Sequence, residues 1–240
     1  MTRSTMFVDP SQRDRIRGWH EAFNARLPDA VESVEVTTSF GRTHALVGGP
    51  ASAPPLLLLH GALASSAHLM PELAPLLATR RLVALDVIGQ SAMSEDRRVS
   101  LDGEDYGRWV AEATTALGLE RFDLLGVSWG GFVATRAVQV LGARIGRLVL
   151  LVPAGFVSGP AWAGFRDVGW PMLTYRMFPS EARLHRVVRG LFSTPDPEWT
   201  AYFGDALRAY RFDMRIPPLA KPGDLAGVTC PVLVVGAEHD

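Results

Sequence analysis

The stretch "DLLGVSWGGF", residues 123–132, joins a short apolar run to a serine that is flanked by glycines. The run ends at Leu125, the motif G-x-S-x-G follows, and a predicted helix begins directly after it. A strand, a sharp turn and a helix in this order are the setting of a nucleophile elbow. Such a turn strains the backbone of its central residue, Ser128, and crowds Gly126 against Gly130, where a Cβ atom would obstruct it. We therefore predict that Ser128 is a nucleophile.

The alternative for Ser128 is a chance match, because a chain with 23 glycines can contain G-x-S-x-G by accident. Two features favour the functional interpretation. The motif lies between a predicted strand and a predicted helix, and Gly131 would ease the packing of that helix on the strand. Ser128 also precedes a helix N-terminus, where free N–H groups and the helix dipole stabilise negative charge.

The segments around this turn alternate between apolar runs and helical patterns. The runs are "LLLLH" (56–60), "RLVALD" (81–86), "RFDLLGVS" (121–128) and "RLVLLV" (147–152), and the helical patterns cover residues 67–78, 102–118 and 130–142. Continuous apolar runs that alternate with helices predict βαβ units and strands buried on both faces. We predict an α/β fold with a mainly parallel, doubly wound sheet and right-handed crossovers.

The N-terminal part of the chain follows a different pattern. Residues 11–27 predict a helix, since Ile16, Trp19, Phe23 and Leu27 recur at helical spacing. Residues 34–47 alternate on both sides of a turn, which predicts an antiparallel hairpin before the parallel strands.

The alternation of strands and helices fails between Val152 and Pro231. Twelve of the 21 aromatic residues lie between Phe156 and Phe212, and the stretch is too long for a simple loop. We predict a helical lid inserted after the sixth strand, because ligand crevices in such sheets lie at the carboxyl ends of strands. The alternative is a helical subdomain with a small aromatic core and no functional role.

These patterns divide the chain into four parts. They are an N-terminal helical segment (1–30), a core α/β sheet (31–155), a helical lid (156–226), and a seventh core strand with the loop that follows it (227–240).

Composition narrows the function further. The net charge is −1, whereas proteins that bind nucleic acid or anionic membranes carry a basic excess, so we expect neither partner. The aromatic residues of the predicted lid instead favour a small apolar molecule as the partner. Cys230 is the single cysteine and the N-terminus has no apolar signal region, which favours a cytoplasmic location. The sequence has no G-x-G-x-x-G after the first parallel strand, no P-loop and no metal-ligand spacing, so we predict no cofactor and no metal.

The loop "HGAL", residues 60–63, follows the first parallel strand. A loop in this position supplies one oxyanion donor of a nucleophile-elbow enzyme, and the residue after the nucleophile supplies the other. We predict the backbone N–H groups of Ala62 and Trp129 as these donors, with His60 and Gly61 supporting the loop. His60 as a catalytic base is the alternative, but a ring that braces the loop is the preferred interpretation.

"DVIGQSAMS", residues 86–94, follows the next strand. Asp86 stands at a strand end, where it could be catalytic. We favour a structural role, in which its side chain organises the following turn through hydrogen bonds to the backbone.

Together "HGALASS", "DVIGQSAMS", "GVSWGG" and "PVLVVGAEHD" resemble the α/β-hydrolase superfamily in order and in spacing, over roughly residues 34–240. The resemblance departs at Ser91 and Ala92, where a glycine is often found. It implies the order serine, acid, histidine, with the acid after the seventh strand. Asp240 is the match and would orient an imidazole. A solvated carboxylate at a strand end is the alternative for Asp240. The segment 232–235 before it resembles a short buried strand.

The resemblance also implies a histidine beyond the acid, and none of the six histidines follows Asp240. His68 and His185 are the ones that we place near the pocket, and His239 is badly placed because it adjoins Asp240. A serine without a base is a weak nucleophile at neutral pH. We expect either a part of a longer hydrolase, which is the preferred interpretation, or a complete chain that binds ligands without turnover.

The leading hypothesis is a serine hydrolase that cleaves a small apolar or aromatic ester through an acyl-enzyme, with doubtful activity in these 240 residues because the histidine is missing. A C–C bond hydrolase or a perhydrolase on the same fold, and a non-catalytic ligand-binding protein, are the alternatives. A dehalogenase is disfavoured, since its elbow nucleophile would be an aspartate.

Overall fold

The computed structural model describes residues 6–28, 30–157, 161–192, 194, 196–211, 213 and 215–236. Its strands are β1 (Glu32–Thr38), β2 (Gly41–Gly48), β3 (Pro55–Leu59), β4 (Arg81–Leu85), β5 (Phe122–Val127), β6 (Ile145–Leu151) and β7 (Val232–Val235). Its helices are α1 (Pro10–Asn24), α2 (Ser66–Glu72), α3 (Asp105–Ala116), α4 (Trp129–Leu141), α5 (Ala161–Gly164), α6 (Trp170–Met177), α7 (Glu181–Arg189) and α8 (Pro197–Ala209).

The seven strands form one mixed sheet in the order β1-β2-β4-β3-β5-β6-β7. The pairs β1–β2 and β2–β4 are antiparallel, and all other pairs are parallel. The predicted hairpin and the predicted parallel sheet are therefore both confirmed. The carboxyl ends of β3, β4, β5 and β6 lie along one edge, where a ligand crevice is expected.

Strand β3 shows why the apolar runs form central strands. Successive side chains of a strand point to opposite faces, and Leu56 and Leu58 join one hydrophobic cluster while Leu57 and Leu59 join the other. Helices α3 and α4 contribute to the cluster with Leu57, and α1, α2 and α8 contribute to the cluster with Leu58. The central strand β3 is thus covered on both faces, as its continuous apolar sequence requires.

The predicted helix over residues 67–78 is broken in two by its prolines. Helix α2 ends at Glu72, just after Pro71, and a 3-10 segment (Ala74–Ala78) with Pro75 near its start follows. Proline lacks the N–H that an interior helical position must donate, which accounts for the break.

Helices α5 to α8 lie between β6 and β7, where the sequence predicts the lid. Helix α8 is fixed to α1 through Asp205, whose carboxylate accepts hydrogen bonds from Arg15 and Trp19, each at 2.8 Å. The hydroxyl of Tyr202 in α8 also donates to the carbonyl oxygen of Leu63 in the 60–63 loop. The lid is therefore tied both to the N-terminal helix and to the sheet edge.

The expectation that residues 232–235 are buried is wrong. The four side chains of β7 are 44–57% exposed, although the strand pairs in register with β6. β7 is the last strand in the sheet order, so within the described chain it has a neighbour on one side alone. None of the helices among the described residues has the length and apolar character that crossing a bilayer requires.

Candidate active site

Ser128 occupies the turn between β5 and α4 with φ of 50° and ψ of −114°. Among the described residues, Leu63, Ser128 and Val152 are the non-glycine residues with positive φ, and all three line the same cavity. Strained backbone of this kind persists where the surrounding structure enforces it, and it concentrates at functional sites. Ser128 thus has the strained backbone that an elbow requires, and the two other strained residues, Leu63 and Val152, line the same cavity.

Glycine is required around Ser128 because the backbones of two elements touch there. A Cβ atom on Gly126 would lie 2.4 Å from the carbonyl oxygen of Gly130, and one on Gly130 would lie 2.0 Å from that of Leu59. A Cβ atom on Gly131 would lie 2.7 Å from Cβ of Pro153. These distances are far below van der Waals contact, so helix α4 can begin against β3 because these positions carry no side chain.

The loop at residues 60–63 lies directly beside the nucleophile, since a Cβ atom on Gly61 would contact Cβ of Ser128 at 3.5 Å. The buried ring of His60 holds this loop. Its Nε2 accepts from the backbone N–H of Val87 at 2.9 Å, and its Nδ1 donates to the carbonyl oxygen of Gly61 at 2.8 Å. Burial lowers the pKa of His60, which keeps the ring neutral. With both nitrogens engaged, His60 braces the loop and has no free lone pair for a proton.

The two proposed oxyanion donors belong to the elements next to Ser128, which are the start of α4 and the 60–63 loop. Trp129 is the first residue of α4, so its N–H has no acceptor inside the helix. Ala62 is part of the loop that borders the same cavity as Ser128. The side chain of Trp129 is buried, and its ring packs edge-on against the ring of Phe132, with centroids 6.0 Å apart. This packing holds Trp129, and with it the proposed N–H donor, in place.

Ser128 opens into a cavity of about 660 Å³ between the sheet edge and the lid. No arginine or lysine is among the described residues that line the cavity. Two carboxylates, Glu72 and Asp196, are exposed at its border. The apolar part of the wall comes from both the core and the lid: Leu63, Leu69, Val127, Val152, Met172, Leu191, Phe192, Trp199 and Phe203.

His68 is part of the cavity wall, as the sequence suggests. Its ring lies among aromatic rings, with centroids 4.3 Å from Phe23, 4.5 Å from Trp199 and 4.2 Å from Tyr202. Nδ1 lies 2.7 Å from the hydroxyl oxygen of Ser65, and the buried Nε2 has no hydrogen-bond partner among the described residues. Burial lowers the pKa of His68 to about 3. A ring of this basicity is neutral at pH 7 and is a poor general base there.

The other candidate histidines do not meet Ser128 in the described part of the chain. His185 is exposed on α7, with Nε2 3.7 Å from the carboxylate of Glu181. His239 and the predicted acid Asp240 lie outside the described residues. No histidine among the described residues is hydrogen-bonded to the hydroxyl of Ser128.

Asp86 is the centre of a buried cluster that sequence reasoning foresaw in part. Its carboxylate accepts from Nδ1 of His44 at 2.6 Å, from the backbone N–H of Ser66 at 3.0 Å and from the hydroxyl of Ser91 at 2.6 Å. Nε2 of His20 lies 3.7 Å away. Burial would raise the pKa of Asp86, but its contacts with His20 and His44 hold it well below the usual value. The aspartate thus organises several elements rather than one turn.

The same cluster has the composition of a metal site, since His20, His44 and Asp86 bring ligand atoms within 4.8 Å of one another. The spacing of its closest pair is that of a hydrogen bond, 2.6 Å between Nδ1 of His44 and Oδ2 of Asp86. Ligands about 2.0–2.1 Å from a tetrahedral zinc ion lie farther apart, at roughly 3.3 Å. The cluster is therefore packed as a hydrogen-bonded network. No sequence pattern links these residues, which come from α1, β2 and the end of β4.

We expect Gly130→Ala to lower the free energy of unfolding by about 3 kcal/mol or more, because its Cβ would overlap the backbone of β3. Gly18→Ala in α1 is the control, since no atom lies within 4 Å of its Cβ position. That change should stabilise the chain by about 0.5–1 kcal/mol. Urea denaturation measures both, and equal midpoints for the Gly130→Ala variant and the parent would contradict the contact.

We expect His68 to weaken the fold in acid. The folded chain keeps this ring neutral, whereas the unfolded chain protonates it below a pKa of about 6.5, so protons favour unfolding. Between about pH 7 and pH 5 the free energy of unfolding should fall by about 2 kcal/mol more in the parent than in His68→Phe. The exposed His185→Gln variant should follow the parent. Parallel pH curves for the parent and His68→Phe would show that the ring is not held neutral.

Comparisons with known proteins show which family the chain resembles. A sequence model described as "alpha/beta hydrolase fold" matches residues 54–189. The chain is 33% identical over 148 residues to an uncharacterised carboxylesterase, Nap, of Bacillus subtilis, a match covering 60% of this chain and 49% of that protein. It is 34% identical over 144 residues to carboxylesterase YbfK of the same bacterium, covering 58% and 49%. The chain thus spans about half the length of the curated relatives it matches.

Solved structures show the same architecture. The naproxen esterase (carboxylesterase NP) of Bacillus subtilis superposes with a TM-score of 0.79 and 22% identity, over 94% of this chain and 80% of that one. Carboxylesterase CesB (YbfK) superposes with a TM-score of 0.73 and 23% identity, over 93% and 80%. At these identities the likeness concerns the fold, and the sequence model covers more than half of the chain. The chain belongs to the α/β-hydrolase fold family.

Proposed function

We propose that this hydrolase is a serine esterase in which Ser128 is the nucleophile. The main support is the position of Ser128. Its strained backbone lies at the carboxyl end of β5, next to the 60–63 loop, and the residue lines a largely apolar cavity. A side chain presented in this way is free to approach a substrate carbonyl from the sheet edge. The carboxylesterase names of the two Bacillus subtilis relatives support the same reaction class.

In the proposed reaction, Oγ of Ser128 attacks the ester carbonyl carbon and its proton passes to a base. The N–H groups of Ala62 and Trp129 hold the oxyanion that forms, at a helix N-terminus that favours negative charge. The C–O bond to the alcohol then breaks, the alcohol takes the proton, and an acyl-enzyme remains. Water, deprotonated by the same base, hydrolyses the acyl-enzyme and releases the acid.

None of the described residues is placed to act as the base. His60 is engaged at both nitrogens, and burial of His68 makes it a poor proton acceptor. Asp240 is proposed as the acid that orients the catalytic imidazole, in line with the order of the family's triad.

The proposed substrate is a small neutral ester with an apolar or aromatic acyl or alcohol group. Aromatic and aliphatic side chains from the lid and the sheet edge form most of the cavity wall, and such walls bind apolar groups by excluding water. Glu72 and Asp196 at the border would repel a substrate that carries its own carboxylate. C–C bond hydrolysis and perhydrolysis use the same nucleophile, but the carboxylesterase relatives favour ester cleavage.

A second candidate, ligand binding without turnover, is favoured by one observation. The hydroxyl of Ser128 has no histidine partner among the described residues, and a serine without a base reacts slowly. A binder would gain thermal stability from apolar esters and release no product.

A fluorophosphonate probe tests the nucleophile. We expect the probe to label the parent chain slowly, because no base among the described residues activates Ser128. Ser128→Ala should abolish labelling, since it removes the attacking oxygen. The control is Ser100→Ala, which changes an exposed serine outside the elbow. This variant should be labelled as the parent is. No labelling of the parent, together with stabilisation by esters, would support the binder. Labelling of Ser128→Ala at the parent level would exclude Ser128.

A matched panel of phenyl esters tests the substrate class. Because the cavity border is acidic and its wall apolar, kcat/KM should be about tenfold or more higher for a neutral ester than for the same ester bearing a carboxylate. In the double variant Glu72→Gln/Asp196→Asn, the preference for the neutral ester over the charged one should become smaller. A higher salt concentration should reduce the same preference in the parent. Equal rates for the two esters in the parent would contradict a neutral substrate.

A further inference from the structure

The outer side of the lid exposes a row of large apolar side chains, which we call the apolar lid face. Its residues and exposed fractions are Trp162 (64%), Phe165 (54%), Trp170 (54%), Met177 (60%) and Phe178 (59%). The outward face of a helix in a water-soluble domain is ordinarily polar. Contiguous exposed apolar surface marks a place where another surface binds.

A π-helical turn, Phe165–Gly169, joins α5 to α6 within the apolar lid face. The extra residue in that turn keeps Trp170 next to Phe165, with ring centroids 6.2 Å apart. The opposite side of α6 carries the buried residues Pro171 and Tyr175, which pack inward. The segment is therefore apolar on both sides, and its inner side already has its packing partners.

Basic side chains stand among these aromatic rings. The guanidinium of Arg166 lies 4.6 Å from the ring centroid of Trp162, and that of Arg183 lies 5.8 Å from the ring of Phe178. Residues 161–190 contain five arginines against two acidic residues, Asp167 and Glu181. Arg166 pairs with the carboxylate of Asp167, and Arg176 donates to the backbone carbonyls of Leu207 and Tyr210. The local basic excess therefore comes from the exposed arginines of α7, which are Arg183, Arg186 and Arg189, in a chain whose net charge is −1.

We propose that the apolar lid face docks on an anionic lipid surface. Tryptophan and phenylalanine rings insert at the depth of lipid headgroups, and nearby arginines bind the negative headgroups, which is how interfacial helices attach. A second copy of the chain fits less well, because two basic faces would meet. The expectation of no membrane partner was drawn from the charge of the whole chain, which conceals this local excess.

Docking would bring lipid close to the proposed ester site. Met172, on the same helix as Trp170, lines the cavity that contains Ser128. One short helix thus separates the apolar lid face from the cavity. The docking proposal does not depend on esterase activity, since it rests on exposed side chains and charge alone.

Co-sedimentation of the 240-residue chain with vesicles tests the proposal. We expect binding to vesicles of phosphatidylcholine and phosphatidylglycerol in equal parts, weak binding to phosphatidylcholine alone, and loss of binding in high salt. Trp162→Ser/Trp170→Ser should weaken partitioning to the anionic vesicles about tenfold or more. Arg183→Gln/Arg186→Gln, which removes two exposed arginines of α7, should weaken it about tenfold and leave binding to neutral vesicles unchanged.

Two control variants separate this surface from general stickiness. Leu233→Ser changes a residue of β7 that is 57% exposed, and Arg147→Gln changes a side chain that is 70% exposed near the start of β6, at the other end of that strand from the lid. Both should bind as the parent does. The proposal is overturned if the parent does not bind anionic vesicles, or if Leu233→Ser weakens binding as much as the tryptophan changes. It is also overturned if sedimentation without lipid reveals a dimer that Trp162→Ser/Trp170→Ser dissociates, since a second copy would then be the occupant.

Discussion

The site depends on one close approach, between the start of α4 and the carboxyl end of β3. Gly130 brings its backbone so near that a Cβ atom would lie 2.0 Å from the carbonyl oxygen of Leu59. This contact sets Ser128 beside the 60–63 loop, because that loop begins where β3 ends. A larger residue at Gly130 would push the helix outward and separate the nucleophile from its proposed oxyanion donors. Glycine destabilises a helix, but at position 130 any larger residue would overlap the backbone of β3.

A second constraint is the buried carboxylate of Asp86, which contacts residues that lie far from it in the sequence. Hydrogen bonds from His44 in β2 and Ser66 in α2 hold it at the end of β4, with His20 of α1 close by. A buried charge is stable when hydrogen bonds replace its water, so this cluster fixes α1 against the sheet. Helix α1 in turn holds the lid through Asp205. The position of the cavity roof therefore depends on a network beneath it.

The two histidines near the site show why residue type alone does not assign a role. His60 is close to Ser128 in space, yet both of its ring nitrogens serve the backbone of the loop. His68 lines the cavity, yet its aromatic surroundings exclude the charged form that a base must adopt. Both rings form part of the wall of the cavity that contains Ser128. The lid adds an apolar roof and presents a different apolar surface outward.

The sequence by itself determined the class of the fold and the position of the elbow. Alternating apolar runs and helical patterns dictate a parallel sheet covered on both faces, and G-x-S-x-G between a strand and a helix dictates a strained turn, because both follow from local sterics and periodicity. Only the tertiary structure decided what each polar group does. Asp86 and His44, which are hydrogen-bonded to each other, are 42 residues apart in the sequence, and the hydrogen-bonded pair Tyr202 and Leu63 is 139 residues apart. The burial of His68 and the exposure of β7 likewise depend on which elements pack together, and local pattern carries no record of such long-range contacts.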